Sequence, residues 1–446
     1  MARQDYTLVV FDKDGKEQQD EHGDLGSQKV VSKMAGVTDV FIMSHGWMGD
    51  VFDAIRQYNG WTDQLMACKD DIAKLGTLRP GFKPLMVGYH WPSKPFGDES
   101  QIESFGMDGA MGGAMESSIG SSIGGAAPAF DPAADFSTRL GGTPAIHAAV
   151  SRVYAEIAAS PNPDSMTAGL ANAYKDLNSL MNLGAAGAGA PPDADRLDFD
   201  PVQIFTASQA ADDATASFGS FGSALLSPLR TISFWTMKGR ARQLGENAGA
   251  SLLISLQDAA SGRDVRFHLM GHSFGCIAMT AMLTGTHQSG RIPAPVHSVF
   301  LVQGAMSLWS FTPRIPMLVG IPGYFQATIR AKKVMGPLVT TQATNDRALC
   351  ILYPIASGLV ADASFGGLDL PLFGALGTFG AQGLDGTQKL EKMAGMQEQY
   401  GFEAGHVYNI QSDNVIKDGS GLSGAHSDIY HPEVGHVVWQ AAMTAV

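Results

Sequence analysis

Residues 265–270 read Val-Arg-Phe-His-Leu-Met, residues 271–275 read Gly-His-Ser-Phe-Gly, and Cys276–Leu283 follows as a run of small and apolar side chains. A strand-like segment thus passes through two glycines bracketing a serine straight into a helix-length segment. No other feature of the chain restricts its fold as much. Such a segment needs a buried strand running into a tight turn with a helix straight afterwards, and the two glycines let the backbone make that sharp turn without Cβ clashes. A continuous apolar strand, as opposed to an alternating one, is covered on both faces, which is the environment of a parallel sheet.

Other segments repeat the strand part of this pattern. Tyr6–Phe11, Asp39–Ser44, Leu85–His90, Ser298–Gln303, Leu338–Gln342 and His406–Gln411 are short apolar runs bounded by turn residues. The first is followed by Asp14-Gly15, a hairpin-turn pair. Helical spacing appears between them, over Val51–Asp71, Lys238–Ala260 and Glu433–Met443, the last preceded by Pro432 at a favourable helix start. Strands alternating with helices predict an α/β fold with a mostly parallel central sheet flanked by helices. The alternation stops between Pro92 and Met237. That gap is too long for a structureless loop in a compact domain, and it contains helical stretches at Pro144–Ala158 and Ser165–Leu183. The expected organisation is therefore a sheet domain made of residues 1–92 and 238–446, with 93–237 inserted as a cap rich in Gly, Ala, Ser and helices.

Composition narrows the function classes. The 446 residues carry 30 Lys and Arg against 43 Asp and Glu, a net charge of −13, with no basic block, which disfavours a nucleic-acid partner. Cys68, Cys276 and Cys350 are odd in number and far apart, without CxxC or Cys/His spacing, so neither a disulfide framework nor a metal site is expected. No apolar stretch is long enough for a membrane span, and Met1–Phe11 lacks the pattern of a signal peptide; a cytoplasmic chain is the expectation. Glycine is in excess, 53 residues, and concentrates in 104–129, 183–190 and 356–386, outside the expected strands.

The serine in the tight turn carries the chemistry. A GxSxG turn between a buried strand and a helix lifts the serine hydroxyl above the sheet edge, and the helix N-terminus favours developing negative charge there. Gly120-Ser121-Ser122-Ile123-Gly124 matches the same pattern within low-complexity sequence and without a preceding strand, so Ser122 is a chance match. A nucleophilic serine needs a base and a partner for that base; in the fold that owns such a turn the order along the chain is Ser, then Asp or Glu, then His. Asp346, just past the strand Leu338–Gln342, is the candidate acid, with Asp428 and Asp413 as rivals. His426, in the loop before the last helix, is the candidate base, with His431 second. His297 begins a strand but precedes Asp346 and so fails the order, His406 begins the last strand at the wrong end, and His436 lies inside the closing helix. Two N–H groups must face the developing oxyanion: those of Phe274, after the nucleophile, and Trp47, in the His45-Gly46-Trp47 loop after an early strand. Gly271, His272 and Gly275, with His45 and Gly46, are the supporting residues.

With these residues in order, the chain resembles members of the α/β-hydrolase superfamily, of the bacterial serine esterase and lipase kind. The matching stretches are HGW at His45–Trp47, GHSFG at Gly271–Gly275, NDRA at Asn345–Ala348 and AHSDIYHPEV at Ala425–Val434. The likeness covers the sheet domain and not the insert. It implies an α/β-hydrolase fold and cleavage of carboxylic esters through an acyl-enzyme, with no cofactor and no metal. The substrate would be a small ester or a lipid, with transient contact to a lipid interface. A triacylglycerol lipase or phospholipase on long-chain lipids is the alternative within this resemblance, and a catalytically idle binding module is the alternative outside it.

Overall fold

The structure is a computed structural model; it describes residues 5–47, 49–93, 132–160, 162, 164–215, 224–285, 292–316, 318–358, 370–384, 386, 388–419 and 424–444. Its centre is one eight-stranded sheet in which every neighbouring pair is parallel. The strands are β1 (Tyr6–Val10), β2 (Asp39–Ser44), β3 (Pro84–His90), β4 (Arg266–His272), β5 (Ser298–Val302), β6 (Leu338–Gln342), β7 (Gln388–Lys392) and β8 (Val407–Gln411), in the spatial order β1-β3-β2-β4-β5-β6-β8-β7. All seven strands read from the sequence are present, within two residues at either end. The exception is β7, Gln-Lys-Leu-Glu-Lys, which lies at the sheet edge and is mostly exposed. An edge strand with solvent on its faces has no apolar run to betray it.

The interior strands are buried on both faces by two apolar clusters. One contains Val9, Val40, Ile42, Val87, Leu269, Val299 and Leu301 and extends into the helices Ser227–Leu244, Ala250–Ala259 and Gly275–Thr284. The other contains Phe41, Met43, Met270, Phe300, Val339 and Ile410 and extends into Val51–Ala67, Lys69–Leu78 and Pro432–Met443. This is why the strands read as continuous rather than alternating.

The inserted region, where described, is helical: Pro132–Leu140, Pro144–Ala158, Ala168–Leu180 and Pro201–Thr215. It has a core of its own, including Val150, Val153, Leu170, Tyr174, Leu177, Leu225, Leu229 and Ile232. Its last helix, Ser227–Leu244, runs straight across the 237/238 boundary and places Phe234, Trp235 and Met237 in the core of the sheet domain. That helix continues through a π-turn at Gly245–Gly249 into Ala250–Ala259. Gly245 permits this because a Cβ there would lie 2.5 Å from the Ala278 carbonyl oxygen. Residues 104–129, Ser122 among them, lie outside the described residues.

Chain order fixes where a site can form. From β2 the chain goes to β3 on one side, and after the insert it returns to β4 on the other side of β2. The crevice beyond the carboxyl ends of strands that diverge in this way is where open α/β sheets bind ligands.

Candidate active site

Ser44 at the end of β2 pairs with Gly271 near the end of β4. The loop after β2 and the turn after β4 are therefore side by side. Strand β4 extends through His272, so the first two residues of GHSFG are still strand, and the Gly275–Thr284 helix begins two residues after Ser273. The turn is thus made by Ser273 and Phe274 alone. Ser273 takes the strain, with φ of 54°, in the left-handed region that non-glycine residues avoid. Its backbone is held there on both sides: its N–H donates to Val302 O at 3.1 Å, and its carbonyl accepts from the N–H groups of Cys276 and Ala305 at 3.1 and 3.2 Å.

The flanking glycines serve close approach rather than unusual dihedrals, since neither has positive φ. A Cβ on Gly271 would stand 2.6 Å from the Gly275 backbone, and one on Gly275 would stand 2.5 Å from the Ser44 carbonyl oxygen. Gly46 has the same role across the crevice, where a Cβ would come within 2.7 Å of the Ser273 Cβ.

Ser273 Oγ donates to His426 Nε2 at 2.9 Å, and His426 Nδ1 donates to Asp346 Oδ2 at 2.7 Å. The three residues expected from the sequence are thus brought together from 273, 346 and 426. Asp346 is fully buried and Ser273 is 5% exposed. His426 sits in a short 3₁₀ turn, Gly424–Ser427, and the loops carrying it and Asp346 are stitched together. The Ala425 N–H donates to the Asn345 carbonyl at 3.1 Å, and the Thr344 N–H donates to Asp413 Oδ1 at 2.8 Å. The rival acids therefore have other work. Asp413 holds the Thr344 turn, and Asp428 pairs with His431 at 2.7 Å while accepting from the Lys417 and Asp418 N–H groups. His436 is buried against Asp71, and the His297 ring accepts from the Phe267 N–H.

His272 lies against His426 without joining the hydrogen-bonded line from Ser273 to Asp346. Its Nε2–H donates to the His426 carbonyl at 2.9 Å, and the two rings are 4.9 Å apart. Burial pushes the His272 imidazole down to about 3, so it stays neutral.

The loop after β2 is held by a buried network. His45 Nδ1–H donates to the Gly46 carbonyl at 2.9 Å, which leaves Nε2 to accept from His90 Nδ1–H at 2.8 Å. Burial, and the neighbouring His90, hold His45 well below its ordinary range, so it is a neutral brace and not a base. The Ser93 hydroxyl lies 2.8 Å from the Gly46 carbonyl, to which it can donate, and accepts from the Gly49 N–H at 2.9 Å. Sequence reading missed Ser93 and His90; His90 ends β3 and Ser93 follows it, but nothing local distinguishes them. The backbone N–H groups of Trp47 and Phe274 have no acceptor among the described residues. Their rings stand 5.8 Å apart, and Phe234 from the insert's last helix packs edge-on against both, at 5.8 and 5.0 Å.

No group of three or more His, Cys, Asp or Glu side chains among the described residues is placed to hold a metal ion. No helix among them is long and apolar enough to cross a membrane. A cleft of about 400 Å³ between residues 11–27 and residues 247–255 shares no residue with the Ser273 site. Comparison with protein-family models, with curated proteins and with solved structures finds no match to this chain.

Proposed function

We propose that this chain is a serine hydrolase that cleaves carboxylic esters through an acyl-enzyme, on an α/β-hydrolase fold whose insert forms a cap. The observation that carries the reading is the unbroken hydrogen-bonded line from Ser273 Oγ through both nitrogens of His426 to buried Asp346, at 2.9 and 2.7 Å. A nucleophile, a base and an orienting acid in hydrogen-bond contact are what acyl transfer needs. His426 takes the Ser273 proton as the oxygen attacks the ester carbonyl. Asp346 keeps the Nδ1–H tautomer and stabilises the imidazolium. The Trp47 and Phe274 N–H groups, together with the N-terminus of the Gly275–Thr284 helix, meet the charge on the carbonyl oxygen. The protonated His426 then delivers its proton to the leaving alcohol, and water repeats the sequence to release the acid.

Phe234 supports the cap assignment, since it carries the insert onto the two oxyanion residues. The test is labelling with a fluorophosphonate together with turnover of p-nitrophenyl esters. Both are expected in the wild-type chain and absent in Ser273→Ala. A binding module would not be labelled, and turnover retained by Ser273→Ala would overturn the assignment.

A further inference from the structure

Asp346 raises a problem of its own. It is a carboxylate without solvent contact, and among the described residues no lysine or arginine pairs with it. Buried charge is tolerated only when its hydrogen-bonding capacity is filled. Two donors besides His426 fill it. The Leu349 N–H donates to Oδ1 at 3.0 Å, and Gln303 Nε2 donates to Oδ2 at 2.8 Å, on the same oxygen that receives the His426 Nδ1–H.

Gln303 is built for this position. It is fully buried just past the end of β5, and its φ of 45° makes it, like Ser273 just past the end of the adjacent β4, a non-glycine residue in the left-handed region. Such strain persists only where the surroundings over-determine it. Thr341 on β6 supplies that constraint twice. Its Oγ1 accepts from the Gln303 N–H at 2.9 Å and donates to Gln303 Oε1 at 2.8 Å. With the hydroxyl proton committed to Oε1, the amide has one orientation, its NH₂ toward Asp346. The reverse orientation would set Oε1 against the carboxylate and two donors against Thr341. Gly377 closes over this residue; a Cβ there would lie 2.6 Å from the Gln303 carbonyl carbon.

We propose that Gln303, locked by Thr341, is a positioning residue for the triad: it holds Asp346 Oδ2 toward His426 and shares its negative charge. The proposal rests on the esterase reading for its kinetic consequence but not for its geometry. Asn tolerates the left-handed conformation well and is one methylene shorter, so Gln303→Asn keeps the backbone while withdrawing the amide from Asp346. Thr341→Val removes both locking hydrogen bonds at nearly constant shape, and Thr341→Ser restores the hydroxyl.

A hydrogen bond to a charged group of the usual strength predicts a fall in kcat of about 10- to 100-fold in Gln303→Asn and Thr341→Val, with KM held and Thr341→Ser close to the wild-type chain. The acid limb of the kcat/KM profile moves to higher pH, because a carboxylate with one donor fewer holds the imidazolium more strongly. The second readout needs no turnover. The proton in the 2.7 Å contact between His426 and Asp346 is expected to resonate at low field, to be assigned by its loss in Asp346→Asn, and to shift or broaden in Gln303→Asn while that of His436–Asp71 stays. An unmoved low-field resonance, or an unmoved acid limb with kcat within about 2-fold, well under the loss of one charged hydrogen bond, would overturn the proposal. Absent labelling at Ser273 would overturn the esterase reading, whereas the resonance decides the role of Gln303 either way.

Discussion

Two of the deeply set His–Asp pairs among the described residues have nearly identical geometry. His426 meets Asp346 at 2.7 Å and His436 meets Asp71 at 2.6 Å, both through Nδ1. They differ at the other nitrogen. His426 Nε2 accepts from a serine hydroxyl, whereas His436 Nε2 is 2.9 Å from the Glu398 carbonyl and donates to it. A carbonyl has no proton to give, so His436 is closed as a base, and its pair ties the last helix to the Lys69–Leu78 helix and to the segment before β8. The difference teaches that a His–Asp contact, however short, does not make a catalytic dyad. What decides is the group facing the free nitrogen, and whether a strained turn holds that group there.

The largest expected effect separates the two pairs by activity. His426→Ala loses roughly 10⁶-fold in kcat on p-nitrophenyl esters if the pair acts as a unit with Ser273, whereas His436→Ala keeps the rate per folded molecule. Equal losses in both would break the distinction. Next, Asp346→Asn is expected to cost about 10⁴-fold in kcat by presenting the wrong tautomer, while Asp71→Asn leaves kcat intact. Steady-state kinetics on purified folded protein decides both.

The His436 substitution has a separate expected effect on stability. Removing one partner of a buried pair costs about 3–5 kcal/mol. His436→Ala is therefore expected to lower the urea midpoint, since among the described residues it leaves the Asp71 carboxylate with the Gln440 amide, at 2.8 Å, as its remaining side-chain partner.

A smaller effect concerns the neutral imidazoles. His45, His268, His272 and His297 all have lowered values because burial disfavours their charged forms, with His272 at about 3 and His297 at about 4. The unfolded chain protonates them below about pH 6.5 and the folded chain resists. Stability is thus complete above that pH and falls as the pH drops toward the folded values, by up to about 1.4 kcal/mol per pH unit for each histidine. His272→Asn is expected to flatten the slope by about one such increment in urea unfolding at pH 4.5–6.5. An unchanged slope would show that the ring beside His426 is not held neutral. The smallest effect belongs to His431→Asn, whose pair with Asp428 is partly exposed; a change of under about 1 kcal/mol is expected.

Much of the fold was legible because interior parallel strands announce themselves as apolar runs. The strand β7 did not, since an exposed edge carries no such demand. In the site, Ser273, Asp346 and His426 were legible from a strand–turn–helix setting and from their order along the chain. Gln303 was not. It reads as the polar end of an apolar strand, and only the adjacency of β5 and β6 gives it Thr341 and Asp346 as partners. The glycine excess is explained in part by contacts that no local rule reveals. Gly46, Gly271, Gly275 and Gly377 sit where two backbones or a backbone and a side chain nearly touch.

The sequence by itself determined the layered α/β architecture and the tight turn at Ser273, because those depend on periodicity and on residues within a few positions of each other; it narrowed the partners of Ser273 only through their order along the chain. The tertiary structure alone decided which His–Asp pair faces a hydroxyl, which amide steadies the buried carboxylate, and how the insert brings Phe234 onto Trp47 and Phe274. Each of these joins residues from about forty to several hundred positions apart. Contacts at that separation are set by strand order and register, and no local pattern in the chain encodes them.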